Sequence, residues 1–361
     1  MNFHRPLMAW YQIHKRDLPW RKTANPYLIW ISEIILQQTR VEQGLDYYNR
    51  FTARFPDIRS LAKAEEEEVM KAWQGLGYYS RARNLHHTAK ILHGDYNSQF
   101  PASYEDMIKL KGIGDYSASA ISSIVFNEVR PVIDGNVIRV VSRFAGIKEP
   151  VGTTDAKKKI REFLNKNIDK DDPGTFNQAV MELGALVCKP KSPGCKHCPV
   201  AGSCFANKEG LTDILPNKVK GKLQETRFLN YLFIFSIQDE EVYIWIRKRT
   251  SQDIWKNLYE FPLIETSTQC SPDELITTAD WELIRGNHNF NIRRVIEVAP
   301  YKLTHRQLIV RFLVIRSDEF SSPDYLKIKF NDHHKYPVSR LIENFLKKVE
   351  SGPGIFLNFP D

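Results

Sequence analysis

The stretch CKPKSPGCKHCPVAGSC, residues 188–204, places four cysteines within seventeen residues and constrains how this part of the chain folds. Their spacing is C-x6-C-x2-C-x5-C, and Cys270 is the one cysteine outside the stretch. Thiols this close in sequence can converge on one metal centre, and the intervening prolines and glycines favour the turns of a loop around it. The candidate ligands are Cys188, Cys195, Cys198 and Cys204.

The pattern of gaps favours one kind of metal centre. A single C-x2-C between two unequal gaps differs from the paired C-x2-C arms of structural zinc sites. It fits better four thiolates around a [4Fe–4S] cluster. Zinc and two disulfides stay open as alternatives, although disulfides need an oxidising compartment that nothing else in the sequence indicates. We therefore expect a [4Fe–4S] cofactor.

Length and composition indicate a globular protein with a net positive charge. The 361 residues are enough for about two domains, and the formal net charge of +8 attracts polyanions, nucleic acid first among them. The N-terminus lacks the apolar run of a signal peptide, and no segment approaches the length of a membrane span. We expect a cytoplasmic protein without membrane contact, associated with the nucleoid if it is bacterial.

The hydrophobic pattern changes after the cysteines. Before them, apolar residues at three- and four-residue spacing predict helices, among them 27–51, 103–110, 116–127 and 137–146. After a lysine-rich polar stretch, short β-branched and aromatic runs predict strands, followed by a late amphipathic helix over 338–349. The sequence thus predicts an all-α domain and then an α+β domain with a mixed or antiparallel sheet. The expected boundaries are 1–210 with the cysteine loop 188–204, a linker at 211–226, the second domain at 227–350 and a tail at 351–361.

A glycine-rich junction is the first candidate for DNA contact. In LKGIGDYSASAISSI, residues 110–124, Gly112 and Gly114 join two predicted helices. The next helix begins there with free N–H groups, on which a phosphate could sit. Taken alone, the pattern favours an ordinary tight turn.

Two carboxylates are candidates for chemistry. Asp134 precedes a helical pattern in VIDGNVIRV, where it could simply cap the helix; the backbone donors would keep its pKa low. Glu33 in WISEIILQQTR has Ile29 and Leu36 at i−4 and i+3, and such apolar company would raise its pKa and make it a general acid. The simpler interpretation of Glu33 is a glutamate at the solvent edge of an amphipathic helix.

Together these motifs resemble a known family. The hairpin, which looks like a helix–hairpin–helix, the aspartate about twenty residues later and the cysteine spacing resemble the endonuclease III superfamily of DNA glycosylases. SEIILQQTRVEQ, GLGYYSRARNL, VIDGNVIRV and FNQAVMELGALVC resemble its adenine DNA glycosylase (MutY) branch. The likeness covers residues 8–205 and implies a base-excision-repair enzyme, a monomer that flips and hydrolyses adenine opposite 8-oxoguanine or guanine in double-stranded DNA.

The resemblance implies roles for individual residues. Glu33 would protonate the leaving adenine and Asp134 would stabilise the oxocarbenium-like sugar. Asn136 would orient water or Asp134. Tyr116 stands where bifunctional relatives carry a catalytic lysine, which implies a monofunctional enzyme without strong strand cleavage. The remaining implied contacts are the mispair wedge of Gln38, Thr39, Leu76 and Tyr78, the hairpin glycines Gly112 and Gly114, and Arg21 and Gln178 in the adenine pocket.

The second domain carries its own resemblance. IWKNLYEFPLIE, residues 254–265, is similar to a degenerate Nudix-like domain without the acidic box that holds magnesium. This implies recognition of 8-oxoguanine rather than nucleotide hydrolysis. The implied contact loop is YKLTHRQ with Leu303, Thr304 and His305, in which leucine replaces the usual phenylalanine.

Two rival functions stay open. A mismatch thymine glycosylase would share the helical domain and the cysteine loop, although the Nudix-like half and Glu33 argue against it. In a non-catalytic DNA-binding protein, Glu33 would be a surface charge and Asp134 a helix cap.

Overall fold

The structure is a computed structural model that describes residues 3–217, 225–303 and 305–352. Its first part is helical: α1 His4–His14, α2 Pro26–Leu36, α3 Val41–Arg54, α4 Ile58–Lys63, α5 Glu66–Ala72, α6 Ser80–Asp95, α7 Tyr104–Met107, α8 Asp115–Phe126, α9 Gly135–Ala145, α10 Thr154–Asn167, α11 Pro173–Leu186 and α12 Phe205–Lys208. Its second part contains β1 Glu225–Gln238, β2 Glu241–Lys248, β3 Tyr259–Glu260, β4 Leu263–Thr266, α13 Pro272–Leu275, α14 Ala279–Arg285, β5 Asn291–Lys302, β6 Arg306–Arg316, β7 Leu326–Lys329 and α15 Arg340–Ser351. The prediction of a helical domain followed by an α+β domain is confirmed.

The chain divides into two compact units. The helical unit comprises residues 1–64 and 80–220, and the sheet unit comprises residues 65–79 and 221–361. The described part of the chain contains no helix that is long and apolar enough to cross a membrane.

Helix α9 illustrates how the helical unit forms its core. Asp134 caps its N-terminus, and it ends at Gly146, whose φ of +69° suits glycine. Between these ends, Val137, Val140 and Phe144 are buried against α1, α10 and α11. The edge of the Phe144 ring meets Phe3 at 4.7 Å between centroids. This packing fixes the position of the aspartate that begins the helix.

The predicted helix over 27–51 is two helices. Helix α2 ends at Leu36 and α3 begins at Val41, because Gln38 adopts a left-handed φ of +58° that no helix accommodates. Four consecutive polar residues, Gln-Gln-Thr-Arg at 37–40, interrupt the apolar pattern at this point, and the prediction of one continuous helix passed over them. The break creates the loop that carries Gln38 and Thr39.

The sheet unit is built on one mixed sheet with the strand order β3-β2-β1-β6-β5. Strands β1 and β6 pair in parallel, whereas the other described ladders are antiparallel. Strand β1 is a continuous apolar run because both its faces are covered. Tyr231 and Phe233 belong to the core that includes α15, and Leu232 and Ile234 to the core around Trp281.

An early segment of the chain, residues 65–79, belongs to the sheet unit. Glu67 accepts hydrogen bonds from Lys248 Nζ and the Tyr259 hydroxyl, each at 2.9 Å. The boundaries expected from the sequence place this segment in the first domain, because sequence patterns do not report contacts between residues so far apart. Those boundaries stay predictions.

Candidate active site

Glu33 lies near the end of α2, and its side chain is buried. Burial raises the pKa of this carboxyl to about 7, although a hydrogen bond with the Tyr116 hydroxyl opposes the shift. Its Oε2 atom has no hydrogen-bond partner among the described residues. Glu33 is therefore a group that holds a proton near neutral pH and has one oxygen uncommitted, as a general acid requires.

Asp134 caps α9 and is largely buried. Its carboxylate accepts hydrogen bonds from Val137 N at 2.7 Å and from Asn136 Nδ2 at 2.8 Å. The sequence led us to expect a low pKa, but the pKa of Asp134 is raised, since burial outweighs these hydrogen bonds. The expectation was wrong because it rested on the hydrogen bonds at the helix cap and left out the burial of the Asp134 carboxyl.

One cavity of about 430 Å³ in the helical unit brings the two carboxyls together. The predicted residues that line it are Glu33, Tyr116, Asp134, Asn136, Arg21, Gln178 and Thr39. Burial also raises the pKa of the Tyr116 hydroxyl, so this hydroxyl stays protonated beside the carboxyl groups of Glu33 and Asp134. The cavity thus contains a carboxyl that holds a proton near neutral pH, Glu33, together with a second carboxyl, Asp134.

Glu182, which was not among the residues predicted from the sequence, also lines this cavity and holds two arginines in place beside it. Arg21 binds both its carboxylate oxygens, at 2.9 and 2.8 Å, and Arg16 does so at 3.0 and 2.7 Å. Burial raises the pKa of Glu182, but the hydrogen bonds from both arginines outweigh it and lower the pKa to about 2. A signal was present in the sequence: Glu182 lies one helical turn after Gln178 and is the one charged residue of α11.

Apart from Thr39 and the adenine-pocket candidates Arg21 and Gln178, the predicted DNA-contact residues that the structure describes do not line this cavity. Gly112 has a φ of +83°, and a Cβ there would lie 2.6 Å from Asn84 Cβ, so this turn requires glycine. Gly114 caps α8 and has open space around it. The first turn of α8 thus has room for a phosphate at its N-terminus.

The other predicted contacts are divided between loops. Gln38 follows α2, whose last carbonyls accept hydrogen bonds from Arg81 Nη1, including Ile34 O at 2.7 Å. In the sheet unit, Leu76 is buried whereas Tyr78 is exposed. At the β5–β6 turn, Leu303 is half-buried and His305 exposed, and Thr304 lies outside the described residues.

The four clustered cysteines are free thiols, each half-buried. Burial, with a smaller contribution from the three neighbouring thiols, raises the pKa of Cys198 to about 11. Arg143, which is 2% exposed, holds their loop: it donates to Lys189 O at 2.7 Å and to Cys188 Sγ at 3.4 Å. Within the described ranges, no group of three or more His, Cys, Asp or Glu side chains is arranged to hold a metal ion.

A chain of hydrogen bonds runs from this loop to the cavity. Arg139 donates to Cys188 O at 2.7 Å, to Gly184 O at 2.8 Å and to Asn136 Oδ1 at 2.9 Å. Asn136 in turn binds Asp134. Arg139 therefore connects the cysteine loop, through Asn136, to the buried side chain of Asp134.

Comparisons with known proteins agree with this arrangement. Residues 31–170 match the model of the HhH-GPD superfamily base excision DNA repair protein, and residues 233–348 match a NUDIX domain. An adenine DNA glycosylase of Buchnera aphidicola from Schizaphis graminum is 36% identical over 280 residues, 77% of each chain. Its counterpart from the Acyrthosiphon pisum strain is 32% identical over 358 residues, covering 96% of this chain and 98% of the relative. A thermostable thymine-DNA glycosylase structure, 24% identical, has a TM-score of 0.51 over 56% of this chain and 94% of its own, which shows a shared fold alone.

Proposed function

The chain belongs to the adenine DNA glycosylase family, and we propose that it excises adenine from duplex DNA where that base faces 8-oxoguanine or guanine. It is a DNA glycosylase of base excision repair and hydrolyses N-glycosidic bonds. The observation that carries the proposal is the meeting of Glu33 and Asp134 in one buried cavity, with the pKa of Glu33 raised to about 7. We propose that it acts as a monomer.

The chemistry of the bond explains the two carboxyls. Adenine leaves poorly as an anion, so it must be protonated, at N7 in our proposal, and protonated Glu33 is the donor. Cleavage develops positive charge on the deoxyribose, which ionised Asp134 stabilises at short range in a low-dielectric site. Glu33, once deprotonated, takes a proton from the attacking water, and Asn136 fixes the orientation of Asp134.

The same cavity supports hydrolysis without strand cleavage. A lyase step needs an amine to attack the sugar, but the residue at that position is Tyr116. Lys111 lines a second cavity of about 230 Å³ together with Gly112 and Arg81, rather than the cavity that holds Glu33.

Extrusion of the adenine requires the duplex to be held and its stack to be opened. We propose that the α8 N-terminus at Gly114 binds phosphate; the basic residues Arg40, Lys189 and Lys191, which line an open groove beside the cysteine loop, support a DNA contact on that side. Gln38, Thr39, Leu76 and Tyr78 would contact the mispair. The turn with Leu303, Thr304 and His305 would read the base opposite adenine.

We propose further that the four thiols hold a [4Fe–4S] cluster. Their number, their free state and their proximity suit such a cluster, which would brace the lysine-bearing loop. Cys188, Cys195, Cys198 and Cys204 would be the ligands, and the cluster would take no part in breaking the glycosidic bond.

Replacing Cys198 with serine is expected to remove most of the bound iron and to lower the melting temperature or the affinity for duplex DNA, because the loop then loses its brace. Iron content, thermal melting and duplex binding are the measurements. Cys270→Ser, in the sheet unit, is the matched control and should keep its iron. A chain with zinc instead of iron, or with full stability after Cys198→Ser, would contradict the proposal.

A panel of duplexes tests the function itself. Duplexes with A:8-oxoG, A:G, T:G or A:T are incubated with the protein and then heated in alkali, which breaks strands at abasic sites. Breaks at adenine in the two mispairs, and only after alkali, are the expected result. Breaks at thymine would identify a thymine glycosylase instead, and binding without any breaks would identify a non-catalytic DNA-binding protein.

A further inference from the structure

Residues 75–79, Gly-Leu-Gly-Tyr-Tyr, form a loop in the sheet unit that we call the wedge loop. Tyr78 lies at its tip, 46% exposed, with a φ of +46°. A bulky side chain rarely adopts this backbone conformation, and it persists only where the surroundings hold it. Gly75 and Gly77, which precede it in the loop, also have positive φ values, of +91° and +75°. The loop is thus built to present one aromatic ring.

The holding contacts come from residues 336–340, Tyr-Pro-Val-Ser-Arg, which we call the strap. Val338 N donates to Gln74 Oε1 at 3.3 Å, and Val338 O accepts from the Tyr79 hydroxyl at 3.3 Å. Arg340 Nη1 donates to Gly75 O at 3.4 Å. The strap therefore contacts residues on both sides of the Tyr78 tip: Gln74 and Gly75 before it and Tyr79 directly after it.

Contacts inside the segment complete the support. The Tyr79 hydroxyl, besides donating to the strap, accepts from Gly75 N at 3.2 Å and so closes the loop on itself. Lys71 Nζ donates to Gln74 Oε1 at 3.0 Å and to Tyr336 O at 3.4 Å. The loop that carries Tyr78 is consequently ordered by residues more than 250 positions later in the chain.

We propose that the sheet unit positions Tyr78 for insertion into the base stack, with Arg340 and Gln74 as positioning residues. This inference rests on the proposed function, since the ring needs a duplex to enter. An aromatic ring stacks on any base, and ordering it in advance removes an entropic cost from binding. The sheet unit thereby has a second role, separate from the contacts of its β5–β6 turn.

A double-mutant cycle tests the coupling. Tyr78→Ala, Arg340→Ala and the combined variant are compared for affinity to an A:8-oxoG duplex whose adenosine carries a 2′-fluorine to slow cleavage. A 2-aminopurine beside the mispair reports unstacking by its fluorescence. Arg340→Ala alone should weaken binding about 3- to 10-fold, since one hydrogen bond is lost, and should reduce the fluorescence. In the Tyr78→Ala background it should cost nothing more.

The controls separate this idea from others. Lys335→Ala removes an equal charge next to the strap, from a lysine paired with Asp332 at 2.7 Å, and should keep both signals near those of the unmodified protein. If Arg340→Ala does not fold, Gln74→Ala tests the neighbouring contact between the strap and the loop, the hydrogen bond from Val338 N. Equal losses from Arg340→Ala with and without Tyr78 would overturn the proposal. If the unmodified enzyme releases adenine but Arg340→Ala weakens binding equally with and without Tyr78, the proposed function stands and this inference fails. If the effects of Arg340→Ala and Tyr78→Ala are coupled but no adenine is released, only the proposed function is refuted.

Discussion

Glu33→Gln is expected to lower the single-turnover rate of adenine excision by about a thousandfold while mispair binding stays nearly unchanged. The amide keeps the size and the hydrogen bonding of the buried side chain but has no acidic proton to transfer. Rates are measured with enzyme in excess over an A:8-oxoG duplex, and binding by titration of the same duplex. Glu42→Gln, at an exposed carboxylate on the edge of the same cavity, is the matched control and should retain its rate. Strong residual excision by Glu33→Gln would remove Glu33 from the acid role.

The raised pKa of Glu33 gives this prediction a pH dependence. Excision by the unmodified enzyme should decline as pH rises through about 7, because only the protonated carboxyl donates. The pKa of Glu33 in the folded protein lies above its ordinary value of 4.5, so protonated Glu33 favours the folded state. This contribution to the free energy of unfolding is complete below pH 4.5 and is lost as pH rises through 7. At pH 8 the buried charge costs on the order of 3 kcal/mol. Thermal melting should therefore find Glu33→Gln more stable than the unmodified protein at pH 8, with little difference near pH 4.

Asp134→Asn is expected to slow excision by about a hundredfold or more with the fold preserved. Asparagine caps a helix as well as aspartate does, so α9 should keep its start, but the neutral amide cannot offset the positive charge that develops on the sugar. Single-turnover rates and thermal melting are the two measurements. The matched control is Asp172→Asn, the same change at the cap of α11, where the carboxylate accepts from Thr175 N at 3.0 Å. A rate within tenfold of the unmodified enzyme would mean that other groups carry the charge stabilisation.

Local patterns predicted the local features of this protein. The cap at Asp134, the apolar surroundings of Glu33 and the glycine turn at Gly112 depend on near neighbours in sequence, and the structure has each of them. The pKa of Asp134 was mispredicted because its burial depends on helices from distant parts of the chain. The same limit hid Glu182, whose two arginine partners lie 161 and 166 positions away. It also hid the attachment of residues 65–79 to the sheet unit.

That attachment has a consequence for how the protein is made. The wedge loop leaves the ribosome early, while its partners in the strap follow 259 to 265 positions later. At about 5–20 residues per second, roughly 13 to 50 s of translation separate them. From residue 185 onward the nascent chain contains every residue of the excision cavity but not those that order Tyr78. On this proposal, a product that lacks the strap should be a poor repair enzyme even where its helical unit is intact.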